Sequence, residues 1–316
     1  MDLVRKGFGE NRAIIVSVLA TIVAVIIFQA INPFFLSPQG RITLVYSSAY
    51  FLIAAVGLTF VMLTGSFDFS VVAQVKLAAM LCALYVDWLG PWVVVVAILV
   101  CGLIGVTNGV LTAVLRVPSF LATLAMSVFI EGVALYLSRG FLHVVRDRFL
   151  RNLAVRFVGG LPMVFYWALA VWIVAVLVAK YTRFGRRLYA LGGNVTAAEL
   201  SGINVARDRI LAFAICGVLA GLAGVLYIGQ YGGGSIEMGA TMMIPLFASV
   251  VAGGTALTGG VGGPQGTILG VIVVTWIQAG LQMLGVASDI QLVVFAIIAI
   301  LMSIVTVDRS KGSIVT

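Results

Sequence analysis

Ten apolar runs divide this chain, at residues 13–31, 43–63, 70–86, 92–115, 120–138, 163–180, 210–230, 241–257, 266–284 and 290–307. Most approach the roughly 20 residues that a helix needs to cross the hydrocarbon core of a bilayer. The third and eighth are short and bounded by glycine or polar residues. Read as helices, the runs predict an all-α, polytopic membrane protein with about ten transmembrane helices, in a single domain over residues 1–316.

Two polar stretches separate these runs. The longer, at 182–210, lies between the sixth and seventh runs and carries Arg183, Arg186, Arg187, Arg207 and Arg209. Inside it, Asn194 reads as an N-cap for the short helix-forming run Val195-Thr196-Ala197-Ala198-Glu199-Leu200. Gly202 would stop that helix, because glycine tolerates the left-handed conformation that ends many helices. A short helix held in a basic loop at 181–209 suggests a docking element; the alternative is an ordinary loop made basic by membrane topology. The second stretch, at 139–160, holds Arg139, Arg146, Arg148, Arg151 and Arg156. Phe141, Leu142, Val145, Phe149 and Leu153 recur there near helical spacing, which predicts an amphipathic helix lying on the membrane surface. It would serve as a headgroup anchor or as a cationic platform for an acidic protein partner.

Composition narrows the class. With 62% apolar and 9% charged residues and a mean hydropathy of +1.19, the chain cannot build a water-facing surface around a core. The net charge of +8 does not point to nucleic acid, because the cations gather between apolar runs. With the N-terminus in the cytosol, the inner segments hold twelve cations: Arg5, Lys6, Arg12, Arg116, Lys180, Arg183, Arg186, Arg187, Arg207, Arg209, Arg309 and Lys311. The outer ones hold six, Arg41 and the five of the second stretch, so ten spans with both termini inside fit best. Trp88, Trp92 and Trp167 then sit near the outer interface. Cys82, Cys101 and Cys216 all fall in apolar runs and read as small buried hydrophobes. His143 has no cluster of ligating residues around it, so no metal site is expected. The first run is too long for a signal core and lacks a small-residue cleavage site, so no cleavable signal is expected.

Glycine is dense between Gly253 and Gly266, but no Gly-Lys-Ser/Thr follows, so the chain is not expected to hydrolyse ATP. Close helix packing and a broken or re-entrant helix are the expected uses. Leu63-Thr64-Gly65 and Leu257-Thr258-Gly259 look alike, although the match does not extend.

Four patches, in order and spanning most of the chain, resemble the membrane subunits of bacterial ABC importers of the ribose/xylose type. Val56-Gly-Leu-Thr-Phe-Val-Met-Leu-Thr-Gly65-Ser-Phe-Asp68-Phe-Ser70 is similar to that family's VGMTFVILTGGIDLSVGS, and Val117-Pro-Ser-Phe-Leu-Ala-Thr-Leu124 to its IPSFIVTLG. Thr182-Arg-Phe-Gly-Arg, Tyr189-Ala-Leu-Gly-Gly-Asn194 and Leu200-Ser-Gly-Ile-Asn204 resemble TRFGRYVYAIGGN and ARLSGIN. Residues 249–270 resemble SVVLGGTSLSGGVGSVLGTLLGA. The resemblance implies a fold like the ten-helix permeases of cobalamin-type (type II) importers, in the bacterial inner membrane. It implies a second permease subunit, identical or different, cytosolic ATPases that carry the ATP and magnesium, and a periplasmic sugar-binding protein; no cofactor of its own is implied. The loop between spans six and seven would then be the coupling element, with Gly193, Asn194, Ala198, Glu199, Leu200, Ser201, Gly202 and Asn204 facing the ATPase. The five arginines of the second stretch would meet the binding protein.

The chain departs from that pattern at Ser66, Phe67, Phe69 and Val72, at Gln74 and Lys76, and at Glu131, where many members have arginine. These departures bear on the cargo and would suit one half of a heterodimer. Charged or polar residues at membrane depth call for a functional reading. Asp68, flanked by Phe67 and Phe69, is a candidate sugar contact, or else a cap for the third span. Lys76 and Glu131 lie at depths that allow an ion pair; otherwise Lys76 snorkels to the interface. Asn108, Gln230, Tyr231 and Gln278 line the path or join helices. A sugar permease is the leading expectation. A nucleoside, a branched-chain amino acid or a sugar-like autoinducer is the alternative cargo, and an ion-driven transporter the alternative mechanism.

Overall fold

The computed structural model describes residues 2–234, 239 and 241–306, with side chains from 15 to 303. Arg309 and Lys311 and the side chains of Arg5, Lys6 and Arg12, used above to orient the chain, lie outside the described residues. The helices run α1 Asp2–Ile31, α2 Pro38–Leu63, α3 Val71–Leu89, α4 Trp92–Ala113, α5 Ser119–Ser138, α6 Arg148–Val155 and α7 Met163–Tyr181. There follow α8 Arg183–Gly193, α9 Val195–Leu200, α10 Val205–Tyr231, α11 Met243–Ala252, α12 Pro264–Met283 and α13 Ser288–Thr306. Seven of these (α2, α3, α4, α5, α7, α10 and α12) are long and apolar enough to cross a membrane, and Ile15–Ile31, Met243–Ala252 and Ser288–Ser303 are shorter apolar helices.

The core is built on α2 and α10. From Ala49 to Leu63 every residue of α2 is buried, as expected for a helix that is apolar on all faces. Hydroxyl pairs fix α2 to α12: Ser48 Oγ lies 2.8 Å from Thr275 Oγ1, and Thr59 Oγ1 lies 2.8 Å from Thr267 Oγ1. In hydrocarbon such pairs join helices that have no hydrophobic drive to associate. α10 packs closely on α4 because small residues face each other. A Cβ on Gly105 would fall on the Phe213 carbonyl, one on Gly217 on the Cys101 carbonyl, and one on Gly109 would lie 2.7 Å from Ile210 Cα.

Two expected elements differ. The eighth apolar run is not one continuous crossing: α11 has ten residues, about 15 Å of helix, and ends at Gly253. Beyond it the chain turns through left-handed glycines that no helix can absorb. The amphipathic helix at the far end is shorter than its apolar spacing suggests, covering only Arg148–Val155. Arg139 and Gly140 both take positive φ and turn the chain, and the strand β1 (His143–Val144) then pairs with β4 (Gly233–Gly234) after α10. A second two-residue pairing, β2 (Phe157–Val158) with β3 (Leu161–Pro162), leads into α7. Asp147 starts α6 by accepting the Leu150 amide at 2.9 Å. Leu150 and Ala154 are buried, while Phe141, Leu142 and Phe149 are exposed.

Candidate functional site

At one end of the bundle a chain of caps builds a projecting platform. Thr182 Oγ1 accepts the Gly185 amide at 3.1 Å and starts α8, a helix that the basic composition of this stretch conceals. Gly185 lets α8 fold back on α7, since a Cβ there would strike the Ala179 carbonyl. Asn194 Oδ1 accepts the Ala197 amide at 3.0 Å and starts α9. Gly202 ends that turn at φ +78°, and Asn204 Oδ1 accepts the Arg207 amide at 2.9 Å to start α10. Ala198 packs inward on Leu191 and Val205. Gly193, Asn194, Glu199, Ser201, Gly202 and Asn204 are all exposed, and Leu200 stands 86% exposed at the end of α9. Arg187 reaches the buried Asp208 at 3.3 Å and ties α8 to α10.

Directly beneath this platform three chain segments meet backbone on backbone. Gly260 N–H donates to the Leu63 carbonyl at 3.0 Å. A Cβ on Gly192 would collide with that carbonyl and with Gly260 N, one on Gly259 would lie 2.5 Å from Gly65 N, and one on Gly260 would lie 2.7 Å from Gly193 N. The two matching tripeptides, Leu63-Thr64-Gly65 and Leu257-Thr258-Gly259, therefore touch each other. Tyr189 Oη donates to the Gly262 carbonyl at 2.8 Å and adds a side-chain tie from α8 to the same loop.

The segment from Thr64 to Ser70 leaves this junction and enters a buried polar cluster. Asp68 is 0% exposed. Its Oδ1 accepts the Ser70 amide at 2.9 Å and the Ser70 hydroxyl at 2.6 Å. Ser70 Oγ in turn accepts from Gln74 Nε2 and Asn108 Nδ2, each at 2.8 Å. Burial pushes the Asp68 carboxyl above the usual carboxylate range, and the hydrogen bonds from Ser70 oppose that shift. Ser119 and Thr123 of α5 hold the flanking backbone by accepting the Phe67 and Phe69 amides, both at 3.0 Å. The Phe67 and Phe69 rings are half-buried and meet Phe247 of α11, with Phe69 stacked on it at 4.9 Å. Asp68 and Asn108 are fully buried, whereas the Phe67 and Phe69 rings between α2 and α3 are only half-buried.

The ion pair that the depth argument allows is present: Lys76 Nζ lies 3.0 Å from Glu131 Oε1. The Lys76 side chain is 11% exposed and that of Glu131 49%. Gln278, on α12, is half-buried and is not brought to this group. At the opposite end Arg139, Arg146, Arg148, Arg151 and Arg156 are all exposed around α6. Sequence reasoning missed Ser70, the hub of the cluster, and Phe247. A serine two residues after a buried aspartate is a local signal; the partner ring on α11 has none.

Residues 40–303 match the family model described as "Branched-chain amino acid transport system / permease component". The ribose import permease protein RbsC of Escherichia coli (strain K12) is 33% identical over 303 residues, 93% of this chain and 93% of the relative. That of Bacillus subtilis (strain 168) is 32% identical over 308 residues, 93% and 92% of the two chains. The galactose/methyl galactoside import permease protein MglC of Salmonella typhimurium is 32% identical over 296 residues, 85% and 86%. The matched region contains the glycine junction, the polar cluster and the α9 platform, and the chain belongs to this family of transport-system permease components.

Proposed function

We propose that this chain is the permease subunit of an ATP-driven, binding-protein-dependent importer of a monosaccharide or related sugar. The observation that carries the reading is the α9 platform. A short capped helix presents an exposed leucine and polar groups beyond the ends of the membrane-crossing helices, as a docking element for a cytosolic ATPase requires. The printed cargo of the relatives, ribose and galactose, supports a sugar over an amino acid or nucleoside. On this reading ten segments cross or enter the membrane in a type II-like arrangement, with both termini in the cytosol. The short α11 then crosses only part of the bilayer, beside its partner α12. Hydrolysis, with its ATP and magnesium, belongs to the partner ATPase. A second permease subunit completes the translocation path, and the exposed arginines around α6 receive the periplasmic binding protein.

The path itself is assigned to the face of α5 and α3 that carries Glu131 and Lys76. A half-exposed carboxylate on a membrane-crossing helix is costly against lipid, so that face looks onto water or onto the second subunit. Phe67 and Phe69 close the cytosolic side of that path, and Asp68 and Asn108 support it from behind. Reversing Glu131 alone to lysine is expected to reduce uptake several-fold by placing two cations together. The double variant Lys76→Glu/Glu131→Lys is expected to recover most of it, and failure to recover counts against a working pair.

Reconstitution tests the whole reading. The permease, its ATPase and the binding protein in liposomes should accumulate sugar only with ATP inside the cytosolic compartment. Uptake by the permease alone, driven by an ion gradient, would replace this reading with that of a secondary transporter.

A further inference from the structure

The polar cluster around Ser70 is short of hydrogen-bond donors. The Ser70 amide and hydroxyl are spent on Asp68 Oδ1, and Gln74 Nε2 and Asn108 Nδ2 are spent on Ser70 Oγ. Three buried oxygens remain without a close hydrogen-bond partner, Asp68 Oδ2, Gln74 Oε1 and Asn108 Oδ1, although the Cys216 thiol of α10 approaches the Asp68 carboxyl. Each belongs to a side chain whose other terminal atom is engaged with Ser70, so the three oxygens are carried by side chains that meet at one residue. All three residues are 0% exposed. All three atoms are acceptors, and one belongs to a carboxyl group.

Among the described residues, no cationic side chain pairs with that group. The ion pairs among the described residues are Lys76–Glu131 and Arg187–Asp208. Around the cluster α3 contributes Gln74, α4 contributes Asn108, and α5 contributes Ser119 and Thr123 to the flanking backbone. The titratable neighbour is the Cys216 thiol of α10. A thiol offers one weak donor and no charge, so it serves at most one of the three oxygens. An unpaired buried carboxylate is far more costly than an unpaired amide oxygen, so the site requires positive charge as well as donors.

We propose that Asp68 Oδ2, Gln74 Oε1 and Asn108 Oδ1 form a buried site for one monovalent cation. Hard oxygen ligands select an alkali-metal ion such as sodium over softer metals. The bound ion fixes the segment that carries Phe67 and Phe69. The site does not depend on the cargo or on the ATPase.

The test is thermal unfolding of the full-length chain in detergent, followed by a thiol-reactive dye that reports exposure of the buried Cys82, Cys101 and Cys216. Melting is compared in sodium chloride and choline chloride at equal ionic strength and one pH. A bound alkali ion raises the wild-type midpoint in sodium by about 2–4 °C over choline, and Asp68→Asn removes the difference. Gln74→Met and Asn108→Leu keep the carboxyl and each remove one oxygen, so each should weaken the sodium response. They carry the test if Asp68→Asn does not fold. Identical wild-type midpoints in the two salts, or a sodium response that survives all three substitutions, overturns the proposal.

Discussion

Leu200→Asp is expected to abolish ATP-driven uptake while leaving the permease folded. The side chain is 86% exposed at the end of α9 and makes no contribution to the small core of Leu191, Ala198 and Val205. Its replacement therefore costs the isolated chain little. An exposed leucine on a capped, rigid turn is the kind of apolar knob that an interface buries in a pocket, where truncation typically removes about 2–4 kcal/mol of binding. That corresponds to roughly 30- to 1,000-fold weaker docking of the ATPase, and a carboxylate in the same pocket adds an unpaired buried charge. Co-purification of the ATPase with the permease reads the docking directly, and vesicle uptake reads its consequence. Leu200→Met, similar in volume and still apolar, should retain both. An aspartate variant that binds and transports normally removes α9 from the coupling role.

The second large effect is expected from Gly192→Ala. The added methyl group collides with the Leu63 carbonyl and the Gly260 amide, which are also the two partners of a backbone hydrogen bond. Both obstacles are main chain, so no rotamer change can relieve them. Overpacking of this kind costs about 1–3 kcal/mol, and here it must be met by displacing α8 from the end of α2. Leu200 is untouched, so the ATPase should still bind. The expected result is more ATP hydrolysed per sugar transported, by several-fold, together with a midpoint lowered by a few degrees. A folding defect alone would lower hydrolysis and transport in proportion. Tyr189→Phe, which removes the hydroxyl contact to the Gly262 carbonyl without any clash, should raise the same ratio more modestly. A ratio unchanged in both variants would separate the junction from coupling.

Local chemistry explains what could be read in advance. Asn194, Gly202 and their spacing identify α9 because capping involves only the neighbouring amides. The Lys76–Glu131 pair followed from depth along two helices, a quantity that residue counting supplies. α8 was concealed by Arg183, Arg186 and Arg187, although Thr182 supplies a cap and Leu188 and Leu191 supply a buried face. Its sharp turn from α7 rests on the absence of a side chain at Gly185 against Ala179, which is a tertiary fact. The outer helix was overextended because Phe141 and Leu142 match a helical period yet sit in a turn fixed by strand pairing to Gly233 and Gly234. Likewise the resemblance between the two Leu-Thr-Gly tripeptides gave no hint that they are in contact, since periodicity assigns faces and not partners.

The junction between Gly192, Gly259, Gly260 and Gly65 has one further consequence. Apart from the Tyr189 tie, its contacts are made by atoms common to every residue, so it has almost no rotamers to freeze or release. A joint of side chains softens on warming as alternative rotamers become populated; this one rests mainly on its peptide planes and a backbone hydrogen bond. Its stiffness should therefore change little with temperature until the segments part altogether, and the transmission of movement through it should fail abruptly rather than by gradual slackening.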